Sequence, residues 1–267
     1  MPALRLIHLT DPHLFADDSR RLYGINTAAS LHQVLAAALA GGPAPDAVIV
    51  TGDIGDDHSP GAYAVFRRTM ASCGVPVWCL PGNHDDPQVM AAALAVAPFH
   101  YGGHARIGGW GIVLLDTHVP GEAAGRLSAG ELLRLDATLH ALADLPVLVC
   151  LHHPPVPVGS EWLDAVGLAN PRDFLDAMDR HPHVRAVLAG HVHQEFEHQR
   201  GSVRYFTTPS TCAQFAPRTP RCVMDRRPPG YRRLELTEDG SLTTDVCWLS
   251  DLIGEPQEDE ARRQEGP

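Results

Sequence analysis

The stretch VRAVLAGHVHQEF, residues 184 to 196, is an apolar run of strand length that ends in Gly190 and two histidines, His191 and His193. Near-continuous apolarity suits a strand covered on both faces. If the chain stays extended past Ala189, side chains two apart point to the same side, and the two imidazoles stand together. The pattern has five earlier counterparts: LRLIHLT (4–10), AVIVTGD (47–53), VPVWCLPG (75–82), GIVLLDT (111–117) and PVLVCLHH (146–153). Between them lie helical patterns. NTAASLHQVLAAALA (26–40) ends at Gly41-Gly42, and SAGELLRLDATLHAL (128–142) opens with Ser128 and Glu131 in capping-box spacing. Residues 60–72, 87–96 and 171–180 are shorter helical candidates.

After His193 the pattern changes. EFEHQRGSVRYFTT and YRRLELTEDGSLTTDVCWL each break at a turn signal, Arg200-Gly201 and Asp239-Gly240, which predicts antiparallel hairpins. A β/α first half feeding a β-rich end predicts an α/β protein of two packed sheets flanked by helices. One domain is expected over residues 1–250, with residues 251–267 a polar, flexible tail.

Composition excludes some functions. The net charge is −11, and all 21 basic residues are Arg, scattered rather than gathered into a stripe, so no nucleic-acid-binding face is expected. The opening MPALRLIHLT lacks a charged segment followed by a cleavable apolar stretch. No run approaches the ~18 apolar residues of a membrane span, so a soluble, cytoplasmic protein without a membrane partner is expected. The six cysteines show no CxxC spacing and sit mostly in apolar runs, which reads as buried thiols.

The polar residues that neither core nor surface explains follow the predicted strands: Asp11 and His13, Asp53, Asn83 and His84, His152 and His153, His191 and His193. Ligand sites in α/β sheets collect at the C-terminal ends of strands, so these distant segments can converge. Asp, His and Asn offer oxygen and nitrogen donors suited to Mn, Fe, Zn or Co. The candidates outnumber the needs of one ion and suffice for two that share a carboxylate. Singly, each fragment is weak: GD is commonly a turn, and HxH commonly a hydrogen-bonded pair. His8 and His118 read as structural, His181 and His183 as loop residues at a helix end, Asp116 as an acceptor of backbone donors, and the loop of Cys212 and Gln214 suits either a site or a plain turn.

Taken in order, DxH, GD, GNHD, a His before Pro, and GHxH resemble the calcineurin-like metallophosphoesterase superfamily over residues 11–193. Longer stretches, among them LYGINTAASLHQVL, WLDAVGLANPRDFLD and TPSTCAQFAPR, are similar to bacterial class III 3′,5′-cyclic-AMP phosphodiesterases. The resemblance implies a four-layer α/β/β/α sandwich and two divalent or mixed-valence transition metal ions, Fe, Mn or Zn. Asp11, His13, Asp53 and His193 would hold one, and Asp53, Asn83, His152 and His191 the other. His152 is chosen over His153 because Pro154 follows at the family's spacing. His84, beside Asn83, would stabilise charge on the phosphorus and protonate the leaving oxygen, oriented by Asp56 or Asp57. The implied reaction is hydrolysis of 3′,5′-cyclic AMP to 5′-AMP by in-line attack of a hydroxide bridging the metals. A cyclic nucleotide is the implied partner, and pairing into a homodimer an implied option. Two alternatives are action on other phosphodiesters, such as glycerophosphodiesters or 2′,3′-cyclic nucleotides, and a non-catalytic scaffold. The scaffold would be betrayed by a lost ligand, and none is lost.

Overall fold

Each apolar run becomes a strand, and each strand stops before its polar residues begin. The computed structural model describes residues 3–251 and residue 254; the expected tail lies otherwise outside the described residues. The first sheet runs in the order Leu242–Trp248, Gly230–Leu236, Leu4–Leu9, Ala47–Thr51, Val77–Leu80, Phe99–Tyr101. The second runs Phe196–Arg200, Val203–Thr207, Val184–Ala189, Val147–Cys150, Trp110–Leu114, Gly103–Ile107. The neighbouring central strands Leu4–Leu9, Ala47–Thr51 and Val77–Leu80 pair in parallel, as do Trp110–Leu114, Val147–Cys150 and Val184–Ala189, so their C-terminal ends share an edge within each sheet. The two predicted hairpins form and extend different sheets, antiparallel to their partners in the hairpin.

Alternation along the strands sorts the apolar residues into three cores. Leu6, Ile49, Leu80, Ile112, Leu148 and Leu188 meet between the two sheets. Ile7, Val48 and Val50 face outward onto Leu31, Val34 and Leu35 of helix Thr27–Ala40 and Phe66 of helix Pro60–Met70. On the far side Val113, Val149 and Val187 pack on Leu135 and Leu139 of helix Ala129–Ala141 and Phe174 of helix Pro171–Arg180. Burial of each such side chain contributes about 1.5–3 kcal/mol. The result is the four-layer α/β/β/α sandwich that the sequence predicts.

The helix ends follow their signals with one exception. The Asn26 side chain accepts from Ala29 N, and Gly41 N donates to Ala37 O. Ser128 Oγ accepts from Glu131 N, but the Glu131 carboxylate does not return to Ser128; it accepts from Asp116 N at 2.9 Å and from Arg134. The capping box is thus half formed, because the loop after the Trp110–Leu114 strand supplies a competing donor. Cys73, Cys79, Cys150 and Cys212 are buried as expected, whereas Cys222 is exposed. Among the described residues no helix is long and apolar enough to cross a membrane.

Candidate metal centre

The opening pair of histidines is placed differently from the extended chain expected. The strand ends at Ala189, and both His191 (φ 70°) and His193 (φ 48°) adopt the left-handed conformation. Asp11 (φ 53°), His13 (φ 46°) and Asp53 (φ 50°) do the same. A left-handed non-glycine residue costs of order 1–3 kcal/mol and persists only where its surroundings over-determine it. Here each chain must leave its strand and turn at once, so that a short Asp or His side chain points back across the strand ends.

The turns are bound to one another. His13 N donates to Asp53 O at 2.9 Å and Asp11 N to Gly52 O at 3.1 Å. His191 N donates to the Asp11 carboxylate at 3.1 Å, and His84 N to Asp53 Oδ1 at 2.9 Å. Glycine is required where these backbones touch: a methyl group at Gly190 would overlap Thr10 Oγ1, and one at Gly82 would overlap Asp53 Oδ1.

All seven predicted ligands converge. Asp11, His13, Asp53, His152, His191 and His193 are buried and Asn83 is half-buried. On one side, His13 Nε2 and His193 Nε2 face each other at 3.1 Å, with Asp11 Oδ1 3.5 Å from His193 Nε2 and Asp53 Oδ2 3.7 Å from His13 Nε2. On the other, Asn83 Oδ1 lies 3.1 Å from His152 Nε2 and 3.0 Å from His191 Nδ1, and the same Asp53 Oδ2 is 3.4 Å from His152 Nε2.

These residues fit cations. His13 Nδ1 donates to Asp56 Oδ1, His193 Nδ1 to Ala213 O and His152 Nδ1 to Thr51 O. In each neutral ring the Nε2 lone pair therefore points into the cluster, the arrangement by which outer hydrogen bonds prepare a metal-binding imidazole. The lone pairs meet carboxylate and amide oxygens or one another, and His191 Nε2 is buried without a hydrogen-bond partner. The titrations point the same way. Burial works against a charge on His152, but the Asp53 and Asp11 carboxylates outweigh it and raise its pKa to about 9. Burial likewise works to raise the Asp53 carboxyl, yet His152, His84 and His13 hold it well below the usual carboxylate range. The cluster attracts positive charge wherever it can obtain it.

His84 is about one-third exposed and lines the cleft above the cluster, with Nδ1 3.4 Å from Asp56 Oδ1. The choice between Asp56 and Asp57 thereby falls to Asp56, since Asp57 accepts from Ala16 N, Ser59 N and Ser59 Oγ instead. His153 is buried with both nitrogens engaged, Nδ1 with Thr117 Oγ1 at 2.8 Å and Nε2 with Ala123 O at 3.1 Å. It packs on the His191 ring and holds the 117–123 loop, so it does not face the cleft.

Of the remaining histidines, the His8, His181 and His183 rings are hydrogen-bonded. His8 bonds Thr51 Oγ1 and Thr208 Oγ1, and Asp116 accepts from His118 N. His181 and His183, expected in a loop, each tie to helix Ala129–Ala141, through Asp136 and Leu139 O. His118, read as structural, lines the cleft.

Two supports escaped the sequence. Asp85, next in the GNHD motif, is buried and accepts from Ile54 N, Gly55 N, Gly82 N and Tyr63 Oη, locking the GD turn to the GNHD turn. Its only signal was a second acid after the histidine. The loop of Cys212 and Gln214 proves to be a brace. Ser210 Oγ donates to Asp11 O, Cys212 N donates to Ser210 Oγ, and Gln214 bonds both backbone groups of Ser210.

A two-sheet sandwich carrying this Asp, His and Asn cluster at its strand ends is the scaffold of a metal-dependent phosphoesterase. The chain belongs to the calcineurin-like phosphoesterase family, whose model matches residues 4–195. It is 39% identical to the 3′,5′-cyclic adenosine monophosphate phosphodiesterase CpdA of Pseudomonas aeruginosa, over 96% of this chain and 94% of that one. It is 37% identical to a 3′,5′-cyclic-nucleotide phosphodiesterase of Nostoc sp., over 91% of each. In fold it is similar to a dimetal phosphatase from Danio rerio, with a TM-score of 0.70, 16% identity and coverage of 94% of this chain and 98% of that one.

Proposed function

We propose that this chain is a dinuclear metal phosphodiesterase that hydrolyses 3′,5′-cyclic AMP to 5′-AMP. The observation that carries the reading is Asp53, whose single Oδ2 stands between two sets of donors, 3.7 Å from His13 Nε2 and 3.4 Å from His152 Nε2. Asp11, His13, Asp53 and His193 would hold one ion, and Asp53, Asn83, His152 and His191 the other, with Fe, Mn or Zn as the candidates. Such a pair supplies charge to neutralise a phosphodiester and to acidify water. The relatives named as cyclic-nucleotide phosphodiesterases support the substrate, because their likeness runs over nearly the whole chain.

The protein's own groups complete the chemistry. Hydrolysis adds water across the bond from phosphorus to the ribose 3′ oxygen, so that oxygen must receive a proton. His84 lines the cleft with Nδ1 toward Asp56, which orients the ring, and the protonated ring delivers its Nε2 proton to that oxygen. The same imidazolium offsets charge on the phosphoryl oxygens. We read residues 1–250 as one domain, acting in the cytoplasm, with pairing into a homodimer as an option and neither nucleic acid nor membrane as partner.

The test is reconstitution. Chelated protein is reloaded separately with Mn, Fe and Zn, metal content is measured by elemental analysis, and 5′-AMP formation is followed by chromatography. Two ions per chain with turnover are expected for at least one metal. Loading with no turnover of cyclic AMP by any metal refutes the reading.

A further inference from the structure

The cleft over the metal centre has a volume of roughly 1830 Å³, far more than a phosphate occupies, and its lining is uneven. His118 lies within electrostatic reach of Asp86 and His58, and all three line the cleft. Elsewhere the lining is aromatic. Phe215 stacks on the His193 imidazole with centroids 4.5 Å apart and planes at 20°. Trp162 meets Phe215 edge-on at 5.0 Å, and Tyr23 does so at 5.9 Å. Phe215 is buried, whereas Tyr23, Trp162 and Met224 remain partly exposed in the cleft.

None of these rings comes from the central strands. Tyr23 sits in the turn between Arg21–Leu22 and Ile25–Asn26, Trp162 on the one-turn helix Glu161–Asp164, and Phe215 and Met224 on the ribbon pairing Gln214–Phe215 with Met224–Asp225. Tyr23 also holds a left-handed backbone, φ 49°, which a bulky residue adopts only under constraint. Packing explains Phe215, which closes a small cluster with Val158, Leu163 and Val192. Tyr23 and Trp162 pack against the same cluster, yet both stay partly exposed in the cleft, where their apolar surface gains from burial only when a ligand covers it.

We propose that Tyr23, Trp162 and Phe215 form the seat of the substrate's nucleobase. This rests on the cyclic-nucleotide reading above and deepens it. The base of a cyclic nucleotide is joined to its phosphate by one ribose, and the aromatic wall begins one ring beyond His193, itself a candidate metal ligand. Stacking on aromatic rings tolerates different bases and strengthens with ring area. A purine is therefore favoured over a pyrimidine, while adenine and guanine differ less.

The test compares cyclic AMP with its abasic counterpart, methyl ribofuranoside 3′,5′-cyclic phosphate, on wild type, Trp162→Ala, Trp162→Phe and Tyr23→Ala. Loss of one stacking partner is of order tenfold in binding. For Trp162→Ala the KM for cyclic AMP should rise about tenfold with kcat nearly held, Trp162→Phe should recover most of it, and the abasic substrate should change less than about twofold. Equal losses on both substrates, or no loss on cyclic AMP in either Ala variant, overturn the base seat alone. Wild-type cleavage of aryl phosphodiesters with no turnover of any cyclic nucleotide overturns the substrate reading and the seat with it.

Discussion

His13 Nε2 and His193 Nε2 face each other at 3.1 Å, although the other nitrogen of each ring already donates, to Asp56 and to Ala213 O. A hydrogen bond between them needs one extra proton; one bound cation satisfies both lone pairs. Metal binding should therefore stabilise the fold. At a free metal concentration 100 times Kd the gain is about 2.7 kcal/mol, seen as a Tm that climbs with metal and falls on chelation. His193→Ala should shrink that climb. A Tm that ignores Mn, Fe and Zn alike would remove the metal centre.

Asp56 Oδ1 serves two histidines, His13 at 3.0 Å and His84 at 3.4 Å, and their substitutions should separate the two jobs. His84→Ala should lower kcat by about 10²–10⁴ with metal content retained, as expected for loss of a proton donor. Asp56→Ala should lower kcat as well and also weaken metal binding by about 10–100-fold, because His13 loses the acceptor that sets its tautomer. Elemental analysis beside steady-state kinetics distinguishes them. Full metal loss in His84→Ala would recast that residue as a ligand.

What the sequence revealed and what it hid divide along a physical line. The central strands were legible because burial on both faces demands unbroken apolar runs, and the residues that cluster were legible as candidate ligands because Asp, His and Asn at strand ends have no packing purpose. The left-handed turns at His191 and His193 were hidden, since nothing local in HVH dictates φ; the constraint comes from Asp11 accepting the His191 N–H across 180 positions of chain. Asp85 was hidden for the same reason: its four donors lie at residues 54, 55, 63 and 82. The aromatic wall was hidden too. Tyr23, Trp162 and Phe215 stand in segments with neither helical nor strand periodicity, and only their convergence gives them a role.

Asp85 should matter more to stability than to chemistry. Asp85→Ala leaves Ile54 N, Gly55 N, Gly82 N and Tyr63 Oη without their buried acceptor. Each stranded group costs about 1–3 kcal/mol, so a total loss of about 4 kcal/mol or more is expected in urea unfolding. Tyr63→Phe, which removes one of these donors and leaves Asp86 N without its hydroxyl acceptor, should cost less, about 1–2 kcal/mol. Similar losses in the two variants would mean that the three backbone donors find other acceptors.

His8 makes a pH-dependent prediction from behind the candidate metal ligands, since Thr51 bonds both His8 and His152. Thr51 Oγ1 donates to Thr10 Oγ1, so His8 Nε2 donates to Thr51, and Nδ1 is left to accept from Thr208 Oγ1 at 2.7 Å. Thr208 Oγ1 in turn accepts from Arg232 Nε at 3.2 Å, which leaves a second proton on His8 without an acceptor. Burial, helped by the Arg232 charge, lowers the pKa from 6.5 to about 3. Between those values the unfolded chain binds a proton that the folded protein refuses, so stability is full above pH 6.5 and falls as pH drops toward 3. The slope approaches about 1.4 kcal/mol per pH unit for this one group. His8→Gln should be less stable at neutral pH yet lose less on acidification, flattening the slope by up to about one proton. Urea unfolding from pH 7 to 4.5 with chelator present throughout keeps metal release out of the comparison. Parallel slopes for the two proteins would show that His8 takes up its proton in the folded state.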